Sequence, residues 1–145
     1  STTVMAGGMA RISGVNTSTP IDISDSATDS TNSADCPDVT TTQAETLVLR
    51  MFVADDNQYT DNSTPTSHTI LWADDSNIGS DISSGYAHID QVSAGATGVG
   101  SFTGFGGAEG WFAATVAIAP AAAAGNNPKG PLGHPLRGPF GGPIG

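Results

Sequence analysis

Hydrophobic positions in this chain cluster in short runs set between polar stretches. The most regular is Thr46–Asp56, TLVLRMFVADD. Alternation puts Leu47, Leu49, Met51 and Val53 on one side of it and Val48, Arg50 and Phe52 on the other. Two apolar sides with one charge between them are the pattern of a strand buried between layers. The β-branched and aromatic residues, the Thr40–Thr42 approach and the Asp55–Asp56–Asn57 turn signal all favour a strand over a short helix. A second run, Trp111–Ala119 (WFAATVAIA), stops at Pro120. The two runs are expected to be the central strands of a β-sandwich.

The remaining pattern surrounds them with weaker strands. Thr2–Gly14 reads as a strand with a bulge or close backbone approach at Gly7–Gly8. It opens without a turn, so a preceding strand is expected to be missing. Val15–Asp22 reads as a loop, tacked to the core by Ile21 and Ile23, and Ser24–Asp38 as a long exposed loop or a ragged edge strand. Ser67–Ala73 is expected to be a strand with Ile70 and Trp72 on one face and Leu71 on the other. Asp74–Ser84 reads as a loop, Gly85–Val92 as an alternating strand and Ser93–Gly98 as a turn. Val99–Thr103 reads as a strand and Phe105–Gly110 as a glycine-rich turn. Short strands at close spacing without a helical period predict an all-β sandwich or jelly roll over residues 1–120.

The last 25 residues, 121–145, follow a different rule. Gly130–Gly145 divides into GPLG, HPLR, GPFG and GPIG, with prolines at 131, 135, 139 and 143. Collagen needs glycine at every third position, so a period of four excludes it. A solvated polyproline-type linker accounts for the composition alone. The spacing supports more. In an extended strand alternate residues share a face, so Leu132, Leu136, Phe140 and Ile144 would form one apolar ridge. The prolines would blank the donors of one edge and leave the other edge able to pair. Such a segment suits addition to the sheet of a neighbouring copy, and repeated head-to-tail contacts give filaments.

Charge narrows the partners. The formal net charge is −10, and the basic residues are Arg11, Arg50, Lys129 and Arg137. No basic patch can form from so few cations, so nucleic acid is excluded as an expected partner. The sequence has no run of 18 apolar residues, so no membrane-spanning helix is expected. Its low charge and abundant Ser, Thr and Gly suit an extracellular, cell-surface or virion-surface protein. Cys36 is the only cysteine, which rules out an internal disulfide. It reads as a free or buried thiol, or else one whose partner lies elsewhere.

Four segments resemble a known family: Ala10–Asp22 (ARISGVNTSTPID), TLVLRMFVADD, Gln91–Thr103 (QVSAGATGVGSFT) and Glu109–Pro120 (EGWFAATVAIAP). Their order and spacing are similar to a jelly-roll, concanavalin-like domain that recurs in bacteriophage virion proteins and bacterial surface or secreted proteins. The resemblance implies a sandwich used as a building block or adhesive module, without a shared catalytic set. Relative to that family the first strands, normally before Thr2, are absent and the Pro/Gly tail is added.

Candidate chemistry is sparse. None of the common nucleophile, phosphate-loop, dinucleotide or zinc-protease motifs occurs. His68, His88 and His134 are scattered, so no enzyme activity is expected. The carboxylates Asp55, Asp56, Asp74, Asp75 and Glu109 invite a glycosidase pair, but acidic turns explain them equally. Asp55–Asp56–Asn57 and Asp74–Asp75–Ser76–Asn77 cluster the oxygen ligands that calcium needs, so Asp55, Asp56, Asp74 and Asp75 are the metal candidates; no other cofactor is expected. Asn16 and Asn62 head glycosylation sequons. The expected function is a structural subunit of an extracellular filament or virion appendage, a homopolymer assembling through the tail and carrying glycans. The alternative is a carbohydrate-binding adhesion module using exposed aromatics such as Tyr59 or Tyr86.

Overall fold

A computed structural model of the chain describes residues 7–55, 64–76 and 82–122. Among these residues the protein is all-β and antiparallel. The strands are β1 (Ile21–Thr31), β2 (Ser33–Cys36), β3 (Thr40–Thr41), β4 (Thr46–Ala54), β5 (Thr69–Ser76), β6 (Ile82–Gln91), β7 (Gly95–Ala96), β8 (Gly100–Thr103) and β9 (Glu109–Ile118). Five of them form one sheet in the order β1-β9-β4-β6-β5; β2 pairs with β8, and β3 with β7. The long sheet and the β2–β8 ribbon face each other as a β-sandwich.

The two apolar runs take the inner places of the long sheet. β4 is hydrogen-bonded to β6 on one side and to β9 on the other, with Arg50 opposite both Ala87 and Thr115. Register then fixes the faces. Val48, Arg50, Phe52 and Ala54 share the inner face with Ala87 of β6 and with Trp111, Ala113, Thr115 and Ala117 of β9, and every one of these is buried. The β2–β8 ribbon closes over them with Ala34, Cys36 and Phe102, each fully buried. Phe52 lies at the centre of the apolar half, its ring centroid 4.7 Å from Phe102 and 5.4 Å from Phe105. Gly85 makes this stack possible: a Cβ there would stand 2.5 Å from Phe52 Cε1.

Several expectations change. Residues 7–14 join no strand. They cross the outer face of the long sheet without a ladder partner, and Gly8 lies so close to the Trp72 ring that a Cβ would come within 2.4 Å of it. Of the two readings of Ser24–Asp38, the edge strand is the one observed. β1 is eleven residues long despite its polar sequence, because β9 supplies a full ladder to it. Ile21 begins this strand instead of tacking a loop to the core, and is 53% exposed. Ile70 and Trp72 do not share a face. The register slips between them, Ile70 opposing Ala87 and Trp72 opposing Tyr86, so Leu71 is a bulge and Trp72 turns to the outer face. The acidic stretch expected as a loop is partly strand, since β5 runs to Ser76 and β6 starts at Ile82. Phe105, expected in a turn, belongs to the core.

Candidate functional site

The outer face of the long sheet carries a broad display of apolar side chains. β4 contributes Leu47, Leu49, Met51 and Val53, β6 contributes Tyr86, β5 contributes Trp72, and β9 contributes Phe112, Ala114, Val116 and Ile118. An ordinary one-layer face would be polar here. Part of it is covered by the N-terminal segment: Ala10 and Ile12 line a cleft with Leu47, Leu49 and Leu71. Farther along, beyond Gly8, Phe112 (43%) and Val53 (37%) are exposed. Between them and Gly8 lies a depression of about 340 Å³ whose wall includes Met51, Trp72 and Tyr86. The Trp72 and Tyr86 rings are parallel to within 3°, with centroids 6.3 Å apart. Burial raises the Tyr86 phenol above its usual range. Ser84 also lines the depression. It is only 4% exposed, and its hydroxyl has no hydrogen-bond partner among the described residues.

The inner face holds a polar centre opposite the aromatic one. Arg50 is fully buried. Its Nε donates to His68 Nε2 (3.0 Å). Nη1 donates to the carbonyls of Cys36 and Pro37 and to Thr115 Oγ1, and Nη2 to the carbonyls of Thr97 and Gly98. The planar fork thus ties β4 to β9, to the end of β2 and to the approach of β8, satisfying every donor it has. Burial lowers the guanidinium's pKa, and the nearby Asp38 carboxylate opposes that shift. Asp38 itself accepts from the Gly98 N–H and the Thr97 hydroxyl. Because Arg50 cannot accept, His68 Nε2 must carry a lone pair. The proton sits on Nδ1, 2.8 Å from the Thr66 carbonyl. Burial depresses the His68 pKa, and the Arg50 charge adds to the effect. Cys36 is a free, buried thiol. Desolvation pushes its pKa up to about 11, against a smaller opposing pull from Arg50.

The residues singled out in the sequence are dispersed. Asp55 is exposed just after β4, and Asp74 is exposed within β5. The ladders bring both to one end of the sheet with β6 between them, roughly 10 Å apart by strand spacing. Asp56 and the Asp75 side chain lie outside the described residues. Among the described residues no three His, Cys, Asp or Glu side chains gather as a metal site. His68 and His88 fall on opposite faces, since His68 meets Arg50 inside while His88 shares the outer face with Leu49 and Thr69. Asn16 is half-buried, and its Oδ1 accepts from the backbone of Ser18 and Thr19, an Asx turn at the surface. Asn62, Tyr59, His134 and the ridge Leu132, Leu136, Phe140 and Ile144 lie outside the described residues. No described helix is long and apolar enough to cross a membrane.

Comparison with protein-family profiles, with curated proteins and with solved structures finds no match in any of the three. What the geometry adds to the sequence reading is the Arg50 centre and the aromatic depression. Arg50 was visible as the one charge in an apolar run. Its acceptors are mostly backbone carbonyls, which leave no trace in a sequence.

Proposed function

We propose that this chain is a non-enzymatic structural subunit of an extracellular filament or virion appendage, a jelly-roll-like sandwich that assembles head-to-tail through its Pro/Gly-rich tail. The observation that carries the reading is where the tail leaves. β9, laddered on both sides by β1 and β4, ends at Ile118, and the chain continues from it through Pro120 toward the tail. The exit is pinned: Val15 bridges Pro120, and the Ala121 N–H donates to the Gly14 carbonyl at 2.8 Å. Tension on the tail therefore loads an interior strand along its length, which is what a link in a polymer requires. The four-residue period of the tail, with Leu132, Leu136, Phe140 and Ile144 on one side of an extended chain, supports pairing with another copy. The test is electron microscopy of the full chain beside a variant ending at Pro120. Fibres are expected from the full chain alone, and fibres from both would remove the tail from the assembly.

A second reading is favoured by one feature. The parallel Trp72–Tyr86 pair beside an open depression is also the kind of aromatic surface on which a sugar ring packs, and it would make the chain a carbohydrate-binding module. Glycan-array binding by the monomer, lost in Tyr86→Ala, would favour it over the filament. Glycans attached at Asn16 and Asn62 fit either reading; intact-mass analysis of the native protein should show mass beyond the polypeptide.

A further inference from the structure

We infer that the depression bounded by Trp72, Tyr86 and Phe112 is the acceptor for the proline-rich tail of a second copy of this chain. The inference rests on the filament reading and says where the donated segment lands. Three observations lead to it.

The first is the chemistry of the depression. Gly8, Met51, Val53, Trp72, Tyr86 and Phe112 line it, with Ser84 as the polar group. Aromatic walls of this kind pack against proline rings and apolar side chains, and proline fixes φ in an extended segment, so less entropy is lost on docking. A volume of about 340 Å³ lies near the small end of roughly 300–1,000 Å³ typical of ligand sites, enough for one or two apolar side chains. The tail repeats that combination at every tetrad, a proline followed by Leu132, Leu136, Phe140 or Ile144.

The second is the buried Ser84 hydroxyl, without a partner among the described residues. A buried hydroxyl left unpaired is costly. An incoming peptide offers both carbonyls and N–H groups to satisfy it, which a purely apolar occupant does not.

The third is direction. The depression lies at the Phe112 end of β9 and the tail departs past Pro120, eight residues on, about 27 Å away at strand rise. The acceptor and the point from which the tail begins therefore lie at opposite ends of one sheet, as an open head-to-tail contact requires. Twenty-three residues follow Ala122, which extended span roughly 75 Å. Extended, that length exceeds the span of the sheet, so a neighbouring copy is within its reach.

Site-directed cross-linking of the full chain tests this. One preparation carries Asp74→Cys or Thr28→Cys, exposed rim positions on either side of the depression; the other carries Gly141→Cys beside Phe140. Ser24→Cys, opposite Val116 toward the far end of the sheet, is the control. After mixing, assembly and mild oxidation, a disulfide-linked dimer is expected from the rim variants and not from the control. A chain carrying both Asp74→Cys and Gly141→Cys should give a ladder of covalent multimers. Fibres in which the rim cysteines stay unlinked, or link no better than Ser24→Cys, overturn the acceptor assignment and leave tail-driven assembly standing. Closure of the double variant within a single chain overturns the second-copy assignment. Rim cysteines that stay unlinked in a chain whose glycan binding is lost in Tyr86→Ala assign the depression to sugar instead. A wild-type chain that forms no fibres at all overturns the reading underneath.

Discussion

Gly100 leaves open the space that the Arg50 side chain fills: a Cβ on Gly100 would stand 2.3 Å from Arg50 Cδ. The smallest residue on the ribbon thus faces the longest buried side chain of the sheet, and the two layers meet through that fit. Gly100→Ala should force the arginine out of its carbonyl cage and destabilise the fold by about 1–3 kcal/mol. Arg50→Ala removes the donors and leaves buried carbonyls unpaired, which costs about 3 kcal/mol or more. Denaturant midpoints should fall in both variants. A midpoint unchanged in Gly100→Ala would contradict the described fit.

Acid should weaken the same centre through His68. Its pKa is lower in the folded protein than the ordinary 6.5, so between those two values the unfolded chain binds the extra proton. Stability is full above about pH 6.5 and falls as the pH drops through that value toward the folded-state pKa, where the loss is complete. His68→Gln keeps an acceptor for Arg50 and removes the titration. Unfolding midpoints followed between pH 8 and pH 5 should slope less in His68→Gln than in the wild type. Equal slopes would place the acid sensitivity elsewhere.

The core stack makes a separate prediction. Gly85→Ala puts a methyl group against the Phe52 ring, in contact with the Phe102 and Phe105 pairs, and overpacking there should cost about 1–3 kcal/mol. Thermal unfolding measures it, and the effect should add to that of Gly100→Ala only if the aromatic and arginine halves are independent.

The β1 edge is protected by its own side chains. Asp25 and Asp29 accept the N–H of Ser26 and Ser30 at 2.8 and 2.7 Å, so two positions of the same edge parity are already paired. An edge so capped resists addition of a foreign strand. Replacing both by alanine should change stability by no more than about 0.5 kcal/mol, as exposed positions do, yet raise side-by-side association in light scattering of the variant ending at Pro120.

Cys36 should be inert in the folded chain. Its thiol is fully buried, and a pKa of about 11 keeps it protonated at neutral pH. A thiol reagent should modify it only at the rate of unfolding, and rapid stoichiometric reaction under native conditions would contradict its position.

Much of the sheet was legible in the sequence. β4 coincides with the residues whose apolar character appears on both sides, and the run ending at Pro120 became β9. β1 was harder to read because an edge strand needs only a ladder from its neighbour, so Ser, Thr and Asp serve as well as apolar residues. The Leu71 bulge follows no composition rule, and it alone turned Trp72 to the outer face and beside Tyr86. The aromatic depression was hidden for the same reason: its walls come from four strands and the crossing segment at Gly8, and only the register brings them together.

The central claim, that the tail is what joins one copy to the next, is tested most directly by competition. A synthetic peptide of residues 130–145 is added to the assembling full chain, and fibre length and number are counted by electron microscopy. The account predicts shorter and fewer fibres as the peptide rises, and no effect from a peptide with Leu132, Leu136, Phe140 and Ile144 replaced by serine. Fibres unchanged in length and number at every peptide ratio would contradict it.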